Sequence, residues 1–282
     1  MKSQKNQAVA LSFILSCLVI SESIIASTQH YVANQNKPSF TEDYDDFKEI
    51  QNVIENNDQE LFYRSELSDL RTRMDPCWYN YNGVSVFSSM AYENVANMQK
   101  ALGLYGNKIN SYTYNPQTPV YNSMFSIKYI YDRNNLISDG SYYDLTNANS
   151  TFSVYENKYN LNICYPVYDN ILEWDTSACS NPVDAQEIYF KLATGLDGLY
   201  NRIKDYEFEY NNIYELDDND KLFENFALYK VNDTEDSSLI INLTASSNDH
   251  IYVYINSRNL DDVTISSATI DLWQADAFSS TQ

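Results

Sequence analysis

The chain has 282 residues and a formal net charge of −21, so its surface repels polyanions. Electrostatic capture of nucleic acid or of anionic lipid headgroups is therefore disfavoured, and no nucleic-acid partner is expected. With 44% hydrophobic residues and only 6 glycines, the chain can bury a sizeable core, as one large domain or as two subdomains.

The first 28 residues differ from the rest of the chain in hydropathy and charge. Residues 8–27 form an apolar run that contains one charged residue, Glu22. About 20 residues at the helical rise span roughly 30 Å, which is enough to cross a bilayer core. Lys2 and Lys5 precede the run, and the positive-inside bias places this end in the cytoplasm. We therefore predict a single-pass protein of the cell membrane, with the C-terminal domain on the extracytoplasmic side.

A cleaved secretory signal is the alternative interpretation of this segment. Lys2 and Lys5 would form its charged region, and the small residues Ala26 and Ser27 could follow its apolar region. The apolar run is long for a signal, and it has no clean A-x-A cleavage site. A retained membrane anchor is favoured, and the domain is exported in either case.

Residues 29–60 are predicted to connect the anchor to the main domain, with an amphipathic helix at 41–57. Ser39–Glu42 has the spacing of a capping box. Apolar residues then recur at helical intervals, at Tyr44, Phe47, Ile50 and Ile54. The exported domain is predicted to span residues 61–282, with 61–200 and 201–282 as candidate subdomains.

Two further helices are predicted in the exported domain. The first runs through Val95, Met98 and Leu102, with Ser88 and Ser89 as candidate N-caps and Gly103 as its end. The second is better marked. It has Asn181 as N-cap, Pro182 at its first position and Gly195 near its end.

Strand signals dominate the remainder of the chain. Runs rich in β-branched and aromatic residues alternate with turns of Asn, Asp and Ser. The predicted strands are 60–67, 124–132, 152–155, 206–210, 226–231, 239–244, 251–255 and 263–272. The predicted fold class is α+β and mainly β: one N-terminal transmembrane helix, followed by an extracytoplasmic, antiparallel, β-sandwich-like domain with a few helices.

Three cysteines lie outside the apolar segment, and Cys17 lies within it. Cys77, Cys164 and Cys179 are an odd number without a CxxC motif, so at most one disulfide can form within the exported domain. Cys164 and Cys179 are the closest pair in sequence, and buried free thiols are an equal alternative. The domain is not a scaffold held together by disulfides.

Catalytic motifs are sparse. The sequence contains no P-loop, GxGxxG, HExxH or GxSxG pattern, and its 2 histidines are His30 and His250. The acidic cluster Asp217–Asp220 fails the calcium-loop pattern and is interpreted as a solvated turn. Asp43 and Asp45 could act as a base or as metal ligands, but they also suit the first turn of the predicted helix. No catalytic residue, cofactor or metal site is predicted.

Aromatic residues provide the best candidate for ligand contact. Trp78, Tyr79 and Tyr81 lie in the turn-rich segment 75–83, and aromatic faces can stack on sugar rings. Tyrosine is abundant, with 26 residues, and many of them will fill β-sheets for ordinary packing reasons. Trp78, Tyr79 and Tyr81 are the predicted glycan contacts.

Several phrases of the sequence occur together in an order that is typical of one family. They are Phe62–Arg64, Tyr79–Ser85 with Phe87–Ser89, Thr118–Val120 with Ile127–Ile130, Val154–Tyr159 and Asn181–Gln186. Because these motifs occur in this order, the chain resembles the extracytoplasmic domain of the bacterial YfhO membrane proteins over most of residues 8–245. The apolar helix, with Glu22 near its end, resembles that family's last span before the domain.

The resemblance implies a role in the cell envelope. The YfhO family is similar to the GT-C glycosyltransferases, which have many membrane spans and use polyprenyl-phosphate sugars as donors; its proposed role is glycosylation of lipoteichoic acid or other envelope polymers. This chain has one apolar span, so the resemblance carries no catalytic residue onto it. It implies acceptor holding, or docking on a multi-span membrane partner, with an envelope glycan or polymer as acceptor.

Two alternatives stay open. The chain could be a stand-alone, membrane-anchored carbohydrate-binding surface protein that uses the aromatic residues of segment 75–83. It could also be an inactive gene fragment that folds without acting. A truncated or split YfhO-like protein is the favoured interpretation, and enzymatic activity of this chain alone is not expected.

Overall fold

The structure is a computed structural model that describes residues 2–30, 41–107, 109–137, 140–179, 181–203, 206–215, 228–232, 234–243, 251–255 and 270–274. The chain divides into two compact units, Met1–Glu49 and Ile50–Gln282. The first two residues of the predicted capping box, Ser39 and Phe40, lie outside the described residues. So do the acidic cluster Asp217–Asp220 and His250. The division of residues 61–282 near residue 200 stays a prediction.

Short helices and strands alternate along most of the described chain. In order, they are α1 (Lys2–His30), α2 (Tyr44–Asn57), β1 (Arg64–Leu67), α3 (Asp75–Tyr79), β2 (Val86–Phe87), α4 (Glu93–Ala101), β3 (Tyr105–Gly106), β4 (Ser111–Thr113), α5 (Pro119–Met124), β5 (Ile127–Asp132), β6 (Tyr143–Ala148), β7 (Ser153–Asn157), α6 (Pro182–Thr194), β8 (Tyr206–Asn211), β9 (Ile213–Glu215), β10 (Leu228–Lys230), β11 (Ser238–Leu243), β12 (Ile251–Ile255) and β13 (Ile270–Gln274). Short 3-10 helices precede α6, at Asp169–Glu173 and Thr176–Ala178.

Helix α1 confirms the predicted apolar helix. Its segment Val9–Thr28 is long and apolar enough to cross a membrane, and it is the one such helix among the described residues. The hydroxyl groups of Ser21 and Thr28 donate to backbone carbonyls one turn earlier, at 2.8 and 2.9 Å, so they are satisfied inside the helix. Its orientation and its retention as an anchor stay predictions.

Helix α2 confirms the predicted amphipathic helix, although it begins at Tyr44 rather than at residue 41. Asp45 and Asp46 occupy its first turn, where negative charge favourably opposes the helix dipole. Ile50 and Ile54 lie one turn apart and are buried.

A four-stranded sheet with the order β1-β5-β7-β6 forms the centre of the larger unit. β1 runs parallel to β5, whereas β7 runs antiparallel to both β5 and β6. All six residues of β5 are buried, so this strand is covered on both faces. β5 starts at Ile127 rather than at Met124, because Met124 ends the short helix α5.

The predicted purely antiparallel arrangement is wrong for two strand pairs. β1–β5 and β12–β13 are parallel, and a parallel pair needs a long crossover instead of a hairpin turn. β8 pairs with β11, and β9 with β10, in the expected antiparallel sense. The described strands thus form a mixed α/β fold with separate small sheets, and the sandwich stays a prediction.

Helix α6 follows its predicted signals closely. The side chain of Asn181 accepts from the backbone N–H of Asp184 at 2.9 Å, and Gly195 ends the helix with a φ of 73°. Helix α4 starts only at Glu93, so the N-caps predicted at Ser88 and Ser89 are wrong. Ser88 instead lies in a turn, where its hydroxyl accepts from the N–H of Met90 at 3.1 Å.

The core between these elements is rich in tyrosine. Tyr114 and Tyr121 are almost fully buried, and so their hydroxyl groups need partners. Tyr121 donates to Gln99 at 2.7 Å, and Tyr114 donates to Asn122 at 3.2 Å. The amide of Asn122 donates in turn to Tyr143 at 2.8 Å. These tyrosines fill the core while their hydroxyls are hydrogen-bonded: Tyr114, Asn122 and Tyr143 form one chain of bonds, and Tyr121 pairs separately with Gln99.

Candidate functional site

The predicted glycan contacts lie close together in sequence but face different environments. Trp78 is 39% exposed, whereas Tyr79 is only 1% exposed. Tyr81 is partly buried, and its hydroxyl donates to Glu66 at 3.4 Å. Among the three residues, Trp78 therefore presents the aromatic surface that solvent can reach.

The segment that carries Trp78 is a short helix rather than the predicted loop. Helix α3 has a proline in its first turn, and Asn80 ends it in the left-handed conformation. The buried carboxylate of Asp75 accepts from the backbone N–H groups of Arg71 and Thr72, at 2.7 and 3.1 Å. These bonds order the turn before the helix, so Trp78 is held on a rigid support.

Glu66 lies beside this segment and is the most unusual residue of the site. It belongs to β1, is fully buried, and projects against residues 81–85. Its Oε1 accepts from the backbone N–H of Val84 and, at 2.9 Å, from that of Ser85. The Ser85 hydroxyl lies 3.4 Å from both carboxylate oxygens. We call Glu66 and residues 81–85 the carboxylate cradle.

Gly83 is required for this cradle to close. A Cβ added at Gly83 would lie 2.8 Å from the Oε1 of Glu66 and 2.8 Å from the Cγ of Pro76. Real Cβ atoms do not come this close to other heavy atoms, so a larger residue would push the loop away from Glu66. The Asn82–Gly83 pair in the sequence signals a turn, but it does not identify the carboxylate that the turn encloses.

The electrostatics of the cradle favour a protonated carboxyl group. Burial raises the pKa of Glu66 to about 7, although the hydrogen bonds from Ser85 and Val84 act in the opposite direction. Burial also raises the pKa of the Tyr81 hydroxyl, and the charge of Glu66 adds to this effect. A carboxyl group with such a pKa can exchange a proton near neutral pH. Because Glu66 is fully enclosed, protonation of its carboxyl group affects its contacts with residues 81–85 and does not reach a bound substrate.

A second charged cluster surrounds Lys128 of β5. Its ammonium group lies 2.8 Å from Asp58 and 2.7 Å from Glu60. The Tyr129 hydroxyl donates to Asp58 at 2.9 Å, and the rings of Tyr63 and Tyr129 lie 5.8 and 5.4 Å from the ammonium group. Lys128 is therefore neutralised by neighbours within the fold.

The pKa values in this cluster reflect mutual pairing. Burial disfavours the charge of Asp58, but hydrogen bonds from Lys128, the Glu60 backbone and Tyr129 hold its pKa below the usual value. Burial likewise opposes the charge of Lys128, and its pKa is nevertheless raised by Asp58 and Glu60. The cluster ties the segment after α2 to the central sheet and is structural in character.

The remaining metal-ligating and thiol side chains of the described residues do not gather into a further site. Among the described residues, no group of three or more His, Cys, Asp or Glu side chains could hold a metal ion. Cys77 and Cys164 are exposed free thiols, and Cys179 is a partly buried one. The expectation of buried thiols is therefore wrong for Cys77, which lies in α3 between β1 and β5, and for Cys164, which follows β7.

Comparison with known proteins identifies the family. A model of the family described as bacterial membrane protein YfhO matches residues 1–275. No curated protein and no solved structure matches the chain. The match covers the apolar helix α1, the carboxylate cradle and the strands up to β13. The chain therefore belongs to the YfhO family of bacterial membrane proteins.

Proposed function

We propose that the larger unit lies on the extracytoplasmic side of the cell membrane and serves the glycosylation of lipoteichoic acid or another envelope polymer. The family match, which runs through the apolar helix and the folded unit together, is the observation that carries the proposal. Lys2 and Lys5, which precede the apolar segment Val9–Thr28, support the orientation. The similarity of the family to GT-C glycosyltransferases supports a polyprenyl-phosphate sugar as donor.

The role proposed for this chain is to hold the acceptor or to dock on a multi-span membrane partner. Two of its perturbed ionisable groups are already engaged with neighbours: Glu66 with Val84 and Ser85, and Lys128 with Asp58. Groups enclosed in this way stabilise the fold and are poorly placed to reach a substrate. A multi-span partner would then bind the lipid-linked donor and perform the sugar transfer.

Deletion of the gene tests this function directly. In the bacterium that encodes the chain, the glycosyl substituents of each envelope polymer are quantified by mass spectrometry before and after deletion. We expect one polymer to lose its substituents and to regain them when the wild-type chain is supplied. Unchanged polymers in the deletion strain would contradict the proposal. Absence of the protein from membrane fractions would favour the inactive-fragment alternative.

A multi-span partner is tested in the same strain. An affinity-tagged full chain is cross-linked in cells, purified from membranes and examined for co-purified membrane proteins. We expect a multi-span protein in the wild-type sample, and an unrelated single-pass protein with the same tag serves as the control. A sample that contains the tagged chain alone would contradict docking and leave acceptor holding as the remaining role.

Carbohydrate binding by the chain itself is the second candidate function. The exposed face of Trp78 favours it, because this indole is held on a short helix whose preceding turn is ordered by Asp75. We expect Trp78→Ala to abolish binding on a glycan array. Tyr168→Ala is the matched control, since Tyr168 is an exposed aromatic residue, 63% accessible, outside the segment. Glycan binding that survives Trp78→Ala would contradict this site.

A further inference from the structure

Four large apolar side chains are exposed on two neighbouring loops of the larger unit. Phe87 at the end of β2 is 48% exposed, and Met90 and Tyr92, between β2 and α4, are 86% and 79% exposed. Ile109, in the β3–β4 hairpin, is 61% exposed. We call these four residues the apolar tip. Exposure of so many large apolar groups is costly in water and marks a surface that meets another phase or molecule.

Hydrogen bonds hold the two loops of the apolar tip side by side. The backbone N–H of Ser88 donates to the carbonyl of Asn110 at 3.1 Å, which joins the β2–α4 connection to the β3–β4 hairpin. In the hairpin, the Asn107 side chain accepts from the N–H groups of Ile109 and Asn110, each at 3.0 Å. Backbone hydrogen bonds thus join the two loops that carry the four exposed side chains.

The charge around the apolar tip differs from that of the whole chain. The sequence has 39 acidic residues, but between Val84 and Tyr131 Glu93 is the single one, against three lysines. Neither the segment 84–92 nor the segment 104–115 contains an acidic residue, and the second contains Lys108. The sequence around the tip therefore carries less negative charge than the chain as a whole, which lowers its repulsion from anionic surfaces.

We propose that the apolar tip inserts into the interfacial region of the lipid bilayer. The chain belongs to a family of membrane proteins and carries a membrane-length helix, so a bilayer is the surface to which it is tethered. Aliphatic side chains and tyrosine together suit the boundary between headgroups and acyl chains. Few carboxylates lie near the tip in sequence, with Glu93 as the one that follows Tyr92, and this lowers the electrostatic obstacle to the contact. The inference stands apart from the proposed glycosylation role.

Photochemical cross-linking of the full chain in phosphatidylcholine nanodiscs tests the inference. The photoreactive residue p-benzoylphenylalanine replaces Met90 in one variant and Leu172 in the control. Leu172 is equally apolar and 89% exposed, but Asp169, Glu173 and Asp175 flank it in sequence. Both positions belong to the same unit, Ile50–Gln282, and share one tether, so the ratio of their lipid adducts compares the two surfaces. A second probe at Ile109 repeats the comparison in case the Met90 variant does not fold.

We expect several-fold more lipid adducts from the probes at Met90 and Ile109 than from the probe at Leu172. Equal lipid adducts at all three positions would overturn the inference. So would adducts that join two protein chains of 32.6 kDa, because the tip would then bind a second copy. Adducts to a co-purified membrane protein in place of lipid would also overturn it. In a second test, Met90→Asp is expected to reduce lipid adducts of the Ile109 probe several-fold.

Discussion

Replacement of Glu66 by glutamine tests the physical basis of the carboxylate cradle. The side chain is fully buried, and its Oε1 accepts from the backbone N–H groups of Val84 and Ser85. Glutamine has nearly the same shape and keeps one carbonyl oxygen for these donors, but it has no titratable proton. The difference in free energy of unfolding between the wild type and Glu66→Gln therefore reports the ionisation of this one group.

The sign of the expected pH dependence follows from the pKa of Glu66. Burial raises it from 4.5 to about 7, so between these pH values the unfolded chain has released a proton that the folded chain keeps. Stability then falls as pH rises, by roughly 1.4 kcal/mol per pH unit. The total loss is about 3 kcal/mol. This contribution is fully present below pH 4.5 and is lost as the pH rises through about 7.

The assay is chemical denaturation of the full chain in detergent micelles, followed by tryptophan fluorescence at stepped pH from 4.5 to about 8. Relative to Glu66→Gln, the wild type should lose about 3 kcal/mol of stability over this range and then reach a plateau. A difference that stays constant, or that grows with pH, would refute the reasoning. It would mean that the two backbone donors outweigh burial and keep the carboxylate ionised throughout.

Two further substitutions test the packing around the same sheet. Gly83→Ala forces a Cβ to within 2.8 Å of Glu66, so we expect a loss of about 1–3 kcal/mol in denaturation. Gly140→Ala has open space around it and should be nearly neutral; an equal loss in both variants would contradict the steric argument. Lys128→Met leaves the buried Asp58 without its cation, and the expected loss is about 3–5 kcal/mol. Lys191→Met breaks an exposed pair and should leave the thermal midpoint unchanged; equal effects would show that burial of Lys128 is unimportant.

Elements with strong local signals were predictable from the sequence. Helix α6 has its cap, its proline and its terminal glycine within one short segment, and all three act where they were expected, at Asn181, Pro182 and Gly195. The apolar run of α1 is equally local, because its length and composition define it without reference to any other part of the chain. Family membership was also predictable, since it depends on the order of short phrases along the chain.

The carboxylate cradle was not predictable, because it depends on a contact between separate segments. In the sequence, Glu66 looks like an ordinary charged residue of an exposed strand, and only the approach of residues 81–85 encloses it. The prediction that all three aromatic residues of segment 75–83 are accessible was wrong in part for a related reason. Trp78 and Tyr79 are adjacent on a helical turn, so their side chains diverge by about 100°, and here Trp78 is exposed whereas Tyr79 is buried.

The parallel pairing of β1 with β5 has a consequence for biosynthesis. β1 is an edge strand, and its partner residues begin at Ile127, well after Arg64 in order of synthesis. Until β5 has been synthesised, β1 therefore has no partner strand, and an unpaired strand edge can associate with other chains. A negative charge on such a strand opposes this association, and Glu66 supplies one in the unfolded chain. Once β1 has paired and residues 81–85 have closed over it, the same carboxyl group is enclosed.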